Sequence, residues 1–120
     1  MRGGLLLQEL LPLTEAVFYI LLSLSGGRKH GYAILKDIST LSSETLQVST
    51  STLYGALGRM QEQGLITRVE NRSDETGGPG LPRKAYELTE LGRRLLEAEL
   101  VRLQRQVQAA QLSLDQERQL

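Results

Sequence analysis

No cysteine occurs in the 120 residues, which excludes disulfides, thiolate metal ligands and cysteine nucleophiles. Tryptophan is absent as well, and phenylalanine occurs once. The single histidine, His30, has no second imidazole with which to share a metal and no evident partner for base catalysis. An excess of charge is also missing. Lys+Arg and Asp+Glu are both 14, so net charge gives no sign of a polyanionic partner. Long apolar runs are missing too. Val17 to Leu24 is far shorter than the roughly 18–20 residues of a membrane span, and Glu15 precedes it. The leucine-rich start carries no small-residue cleavage site of the signal-peptide kind. These absences predict a cytoplasmic protein with no membrane partner. No nucleophile–base pair, phosphate-cradling glycine loop or metal cluster can be assembled. The expected catalytic, metal and cofactor sets are therefore empty, and the chain is expected not to be an enzyme. Its length allows one small domain whose modest core a partner subunit would reinforce.

What is present centres on Ser49 to Ile66, STSTLYGALGRMQEQGLI. At 100° per residue Leu53, Leu57, Met60 and Gly64 fall on one side. Ser51, Thr52, Gly55, Gly58, Arg59 and Glu62 fall on the other. The first set is a core-facing stripe. The second is small and hydroxylated, with one cation. Each glycine in a helix interior costs about 1 kcal/mol against alanine, so something should require Gly55 and Gly58. A helix lying close to a phosphate backbone would require them: small side chains admit the backbone, and the hydroxyls of Ser49, Thr50, Ser51 and Thr52 bond phosphate oxygens. An ordinary amphipathic helix with a polar outer face is the competing reading, and the helix alone does not choose.

The chain on either side bears on that choice. Residues 1–12 hold LLLQELLP, a short helical turn ended by Pro12. It reads either as an arm that packs on a partner subunit or as an apolar, partly disordered end. Thr14 caps a helix through Leu24 that is apolar on most sides, and Gly26-Gly27 stops it. Arg28, Lys29, His30 and Gly31 form a turn, with His30 capping a second helix from Tyr32 to about Thr40. Tyr32, Ile34, Leu35 and Ile38 give that helix its inward face. Lys29 is placed to reach a phosphate; a solvated turn charge is the alternative. Leu46-Gln47-Val48 alternates like a very short strand. Helix, connection and helix in this order make a helix-turn-helix, whose second helix enters the major groove. Two strands follow, about 65–70 and 83–89, around a glycine- and proline-rich loop. That is a β-hairpin wing. Arg72 at one shoulder and Arg83 and Lys84 at the other are placed to touch backbone phosphate. Residues 28–94 hold ten of the fourteen cations and eight of the fourteen acids, a mild excess in the same region.

Thr89 caps a last helix, about Glu90 to Glu117. Leu96, Leu100, Leu103, Val107, Ala110 and Leu114 are spaced 4, 3, 4, 3 and 4, an a/d heptad pattern. This seam predicts a twofold homodimer. Folding back on its own domain is the alternative. The expected fold is mainly α with a small β-hairpin: an arm (1–12), a winged helix-turn-helix that binds double-stranded DNA (13–89) and a C-terminal dimerisation helix (90–120).

PLTEAVFYILLSLSGGRKHGYAILKDI, STLYGALGRMQEQGLI and PRKAYELTELGRRLL, in this order, resemble the PadR family of bacterial transcriptional regulators. The resemblance covers about residues 12–100 and looks like the short subfamily with one C-terminal helix. It implies a winged helix-turn-helix homodimer in the cytoplasm that usually represses a promoter. Family members commonly respond to a small aromatic or hydrophobic effector, or to none known. By resemblance Ser51, Thr52, Tyr54 and Arg59 fall on the recognition helix, and Arg83 and Lys84 on the wing. Gly55 stands where many members have proline. Without tryptophan, the aromatic sandwich that some relatives use for flat ligands finds no support. A winged helix used for protein contact without DNA binding is the runner-up, and the balanced charge is its support.

Overall fold

The architecture was taken from a computed structural model that describes residues 7–70 and 84–119. Helix α1 spans Glu15–Ser25. It begins where the Thr14 hydroxyl accepts the Val17 amide at 3.2 Å, and Glu15 sits in its first turn. Ile20, Leu21 and Leu24 on it are buried in the middle of the core. Gly26 caps its end and Gly27 takes a φ of 129°, a turn that the paired glycines anticipate.

The next segment departs from expectation. Lys29–His30 is not a bare turn but a short strand, β1, and helix α2 starts at once as Gly31–Leu41. His30 occupies the N-cap position of α2 without a side-chain capping bond; its Nδ1 lies 3.3 Å from the Lys84 carbonyl instead. Ile34 and Ile38 are fully buried as expected. Tyr32, expected inward, is 71% exposed. It sits 100° round the helix from the buried Gly31 and carries Lys36 Nζ 5.6 Å from its ring centre.

Residues 42–49 form an irregular connection, not the short strand that Leu46 to Val48 suggested. Ser43 and Glu44 adopt positive φ, 53° and 64°, and turn the chain sharply. The buried Ser42 hydroxyl accepts the Leu46 amide at 3.0 Å, so local hydrogen bonding displaces strand pairing here. Leu46 and Val48 still pack on the core. Helix α3 then runs Thr50–Glu62, with Ser49 as its N-cap.

Strand β2 is Ile66–Glu70 and β3 is Lys84–Leu88, antiparallel, with Arg68 opposite Tyr86 and Glu70 opposite Lys84. Because β1 pairs with the other edge of β3, the sheet has three strands in the order β1-β3-β2. The expected hairpin is thus present and a third strand is added to it. The loop between β2 and β3, with Arg72 and Arg83, lies outside the described residues.

Helix α4 is Glu90–Gln119, 30 residues and about 45 Å long at 1.5 Å per residue. Thr89 starts it as expected: its Oγ1 accepts the Gly92 amide at 3.0 Å and lies 2.7 Å from the Gly64 carbonyl oxygen. Gly92 lets the helix meet the turn before β2, for a Cβ there would overlap the Leu65 carbonyl. Leu95 and Leu96 finish the core, and Leu7, Leu10 and Leu11 of the N-terminal arm pack against it as well. Among the described residues no helix is long and apolar enough to cross a membrane.

Candidate nucleic-acid interface

Leu53, Ala56, Leu57 and Met60 seat α3 against the core, each at most 3% exposed. Burying a leucine side chain stabilises by about 1.5–3 kcal/mol, so the helix is firmly held. Its outer face carries Ser51, Thr52, Gly55, Gly58 and Arg59, all exposed. Ala56 does not stand out on the helical wheel, because alanine carries little weight in an apolar stripe. At the N-terminus the Ser49 hydroxyl accepts the Thr52 amide at 3.1 Å and lies 3.0 Å from Thr52 Oγ1 and 3.2 Å from Ser51 Oγ. Three hydroxyls are therefore gathered at the positive end of the helix dipole.

The two glycines are informative. A Cβ built on Gly58 would meet nothing within 4 Å, and one on Gly55 would reach only Arg59 Nη1 at 3.6 Å. The described fold gives no steric reason for either. Gly31 behaves differently, because a Cβ there would overlap the Tyr54 ring. Tyr54, 44% exposed, thus lies across the start of α2. Burial pushes the Tyr86 phenol above its usual range, the Tyr54 phenol adds to this electrostatically, and Arg68 opposes it.

The remaining predicted contacts divide. Thr50 is exposed in the first turn of α3, and Lys84 is exposed at the start of β3. Lys29, expected to reach a phosphate, is half-buried and engaged within the fold. Its ammonium pairs with Asp37 on α2, which also accepts from Ser23 Oγ at 2.7 Å. Burial raises the Asp37 pKa, but these hydrogen bonds and the lysine charge outweigh it, and the carboxyl is held below its usual range. Arg28 similarly meets Glu87 of β3 at 2.8 Å.

The predicted seam on α4 also divides. Leu96 is 6% exposed and belongs to the chain's own core, so it offers no surface to a second chain. Its heptad register is correct, but the helix still faces its own domain there. From Leu100 onward the same stripe is uncovered: Leu103 is half-buried, and Leu100, Val107, Ala110 and Leu114 are exposed, Val107 at 54%.

Where the two regimes meet lies a group the sequence gave no reason to single out. Glu99 is only 2% exposed. It takes a two-pronged bond from Arg102, at 2.6 and 2.9 Å, and accepts the Leu13 amide at 3.3 Å. The Arg102 guanidinium, with help from Leu13, holds this carboxyl below the usual glutamate range against the effect of burial. A glutamate at a charge-rich helical position reads as solvated until the chain entry to α1 is seen folding over it.

Among the described residues no group of three or more His, Cys, Asp or Glu is arranged to hold a metal ion. The family model described as the transcriptional regulator PadR-like family matches residues 20–98. A PadR family transcription regulator from a hypervirulent Clostridium difficile is 27% identical, with a TM-score of 0.66 over 82% of this chain and 99% of that one. Bacillus subtilis PadR, solved in complex with operator DNA, is 26% identical, with a TM-score of 0.62 over 71% of this chain and 46% of that one. An uncharacterized 37.1 kDa protein in transposon TN4556 of Streptomyces fradiae is 33% identical over 85 residues. This chain spans only 22% of that protein's length. With the helix-turn-helix order and three-stranded sheet in place and the family model matching more than half of its length, the chain belongs to the PadR-like family of transcriptional regulators.

Proposed function

We propose that this protein is a homodimeric, sequence-specific DNA-binding regulator, a repressor that acts on a palindromic operator. The observation that carries the reading is the outer face of α3. Two glycines lie there with no steric cause inside the described fold, beside exposed hydroxyls and Arg59. A helix built this way lets a groove approach its backbone closely. Ser49, Thr50, Ser51 and Thr52 meet phosphates, Arg59 reads bases, and Lys84 reaches phosphate from the sheet, with Arg72 and Arg83 carrying that contact into the loop. Tyr54 lines the flank of the groove.

Dimerisation is supported by the bare stripe from Leu100 to Leu114. Paired about a twofold axis, two reading heads enter successive major grooves about 34–36 Å apart. The relative of known operator complex supports DNA as the partner class. A small hydrophobic or aromatic effector would act by changing the spacing of the two heads through α4.

The test is selection of genomic fragments by the purified protein, followed by binding of the winners over a salt series. The expected result is a recurring inverted repeat. Its affinity should fall by about a thousandfold or more between 50 and 200 mM salt, as for six or more phosphate contacts. Absence of any enriched sequence, with binding indifferent to salt, would leave the protein-contact reading in its place.

A further inference from the structure

Glu99 lies where α4 leaves its own domain. Leu95 and Leu96, in the turn before it, are buried. Arg102 and Leu103, in the turn after it, are half-buried, and residues 104–119 are all exposed. The helix thus projects about 24 Å beyond its last covered turn. Among the described residues, the Glu99 bond to the Leu13 amide is the last hydrogen bond from α4 to the rest of its domain. Leu13 immediately precedes Thr14, the N-cap of α1, so the bond ties the exit of α4 to the root of the central helix. Apolar packing is incomplete at this joint. Leu13 and Leu95, with Leu10, Val17 and Leu65, line a cavity of about 130 Å³. Atoms that face a void lose contacts on that side, so the alignment there leans on the carboxylate and its fixed fork from Arg102.

Resting on the reading that two chains pair along α4 and bind a palindromic operator, we propose that Glu99 is a positioning residue: it fixes the angle between α4 and its own reading head, and through that angle the half-site spacing the protein accepts. Glu99 touches neither DNA nor the second chain. It acts through Leu13 and Arg102, which hold α1 and α4 in one relative orientation. The projecting part of α4 makes the angle matter. A turn of about 8° at the root of a lever about 24 Å long moves its end by about 3.4 Å, one base-pair step along the duplex. A buried ion pair adds little net stability over apolar residues of the same volume; its two-pronged geometry supplies direction instead. A dimer whose heads are held at the operator's own spacing does not have to order them on binding.

The experiment measures binding of the full-length protein to its selected operator and to versions whose central spacer is one base pair longer or shorter. The parent should lose roughly tenfold or more on either change, because each moves a half-site away from its head. Glu99→Leu removes both bonds and fills the site with an apolar side chain of similar size. It should bind the selected operator more weakly, and its loss on changing the spacer should shrink to about threefold. Glu99→Gln keeps an oxygen for the Leu13 amide but not the ionic fork, and should fall between. Base preference within a half-site should stay parental in both variants, since α3 is untouched, and both should sediment as the parent does. Ile34→Val, in the core face of α2, is the contrast: it should lower the melting temperature and keep the parental spacer profile. If both Glu99 variants keep that profile, or sediment as monomers, Glu99 does not set the spacing and the proposal is overturned. If Glu99→Leu does not fold, Glu99→Gln decides alone by the same criterion. If the parent selects no inverted repeat, the dimeric-operator reading fails and this one with it.

Discussion

Gly58→Ala separates folding from binding. Gly58 lies inside α3, exposed, with helical neighbours on both sides. An added Cβ would meet no atom within 4 Å. Only the helix propensity difference remains, and it favours alanine by about 1 kcal/mol. For a small domain that raises the melting temperature by roughly 4–8 °C. Operator binding should move the other way. If the DNA backbone or a base edge rests where the glycine leaves room, a methyl group must be forced into a packed contact. Such overpacking costs about 1–3 kcal/mol, which is a five- to hundredfold loss of affinity at about 1.4 kcal/mol per decade. Circular dichroism melts at fixed protein concentration give the first number, since a dimer's midpoint depends on concentration. Fluorescence anisotropy with labelled operator gives the second. A variant that melts higher and binds as well as the parent refutes the reasoning, because the glycine would then serve nothing outside the chain. A variant that melts lower refutes the claim that the site is open within the fold.

Val107→Lys should break the proposed dimer in sedimentation and cut operator affinity with it, while the core stays folded, because Val107 is 54% exposed. Gly92→Ala should destabilise by about 1–3 kcal/mol or more in a denaturant titration, since its Cβ overlaps the rigid Leu65 carbonyl. Glu99→Gln should cost about 1–3 kcal/mol at neutral pH by leaving the clamp half-made. The sign with pH follows from the lowered pKa. The unfolded chain takes up this proton first on acidification, so the contribution of Glu99 is complete above the ordinary glutamate pKa and is lost as pH falls through the lower folded value. The stability gap between parent and Glu99→Gln should therefore narrow below about pH 4; a gap that stays constant down to pH 2 would sink the assignment.

The helices were legible because their signals are local. Thr14, Ser49 and Thr89 each cap where their side chains suggest, and the spacing of Leu53, Leu57 and Met60 gives the buried face of α3 directly. What escaped notice depends on partners far along the chain. Lys29 and His30 form a strand only because Tyr86 and Ala85 lie alongside, more than fifty residues later. Two residues carry no periodicity by themselves. The aromatic ring of Tyr32 suggests a core residue, yet the wheel sets it apart from Ile34 and Ile38, and it is exposed. The heptad of α4 has the right period throughout, yet periodicity cannot say whose core a leucine joins: Leu96 belongs to its own chain and Val107 to no part of it. Glu99 and Lys29 show the same limit for charges, whose partners are set by tertiary contact.

The bare stretch of α4 has a further consequence in the residues beside its seam. Taking Leu100, Val107 and Leu114 as a positions and Leu103 and Ala110 as d, the e and g positions between Leu100 and Leu114 are Gln104, Gln106, Gln111 and Ser113, while Glu99 just before them is committed to Arg102 of its own helix. In coiled coils, charges at those places choose the partner and the orientation. Here all four are neutral. If this stripe is the proposed dimer seam, it holds by apolar contact and carries no charge code for self-recognition over that stretch. Under the proposed pairing, a related chain with a similar stripe would be accepted almost as readily as a second copy, and mixed dimers would depend on which chains are present together. Added salt would loosen such a pair from DNA and leave the pair itself intact.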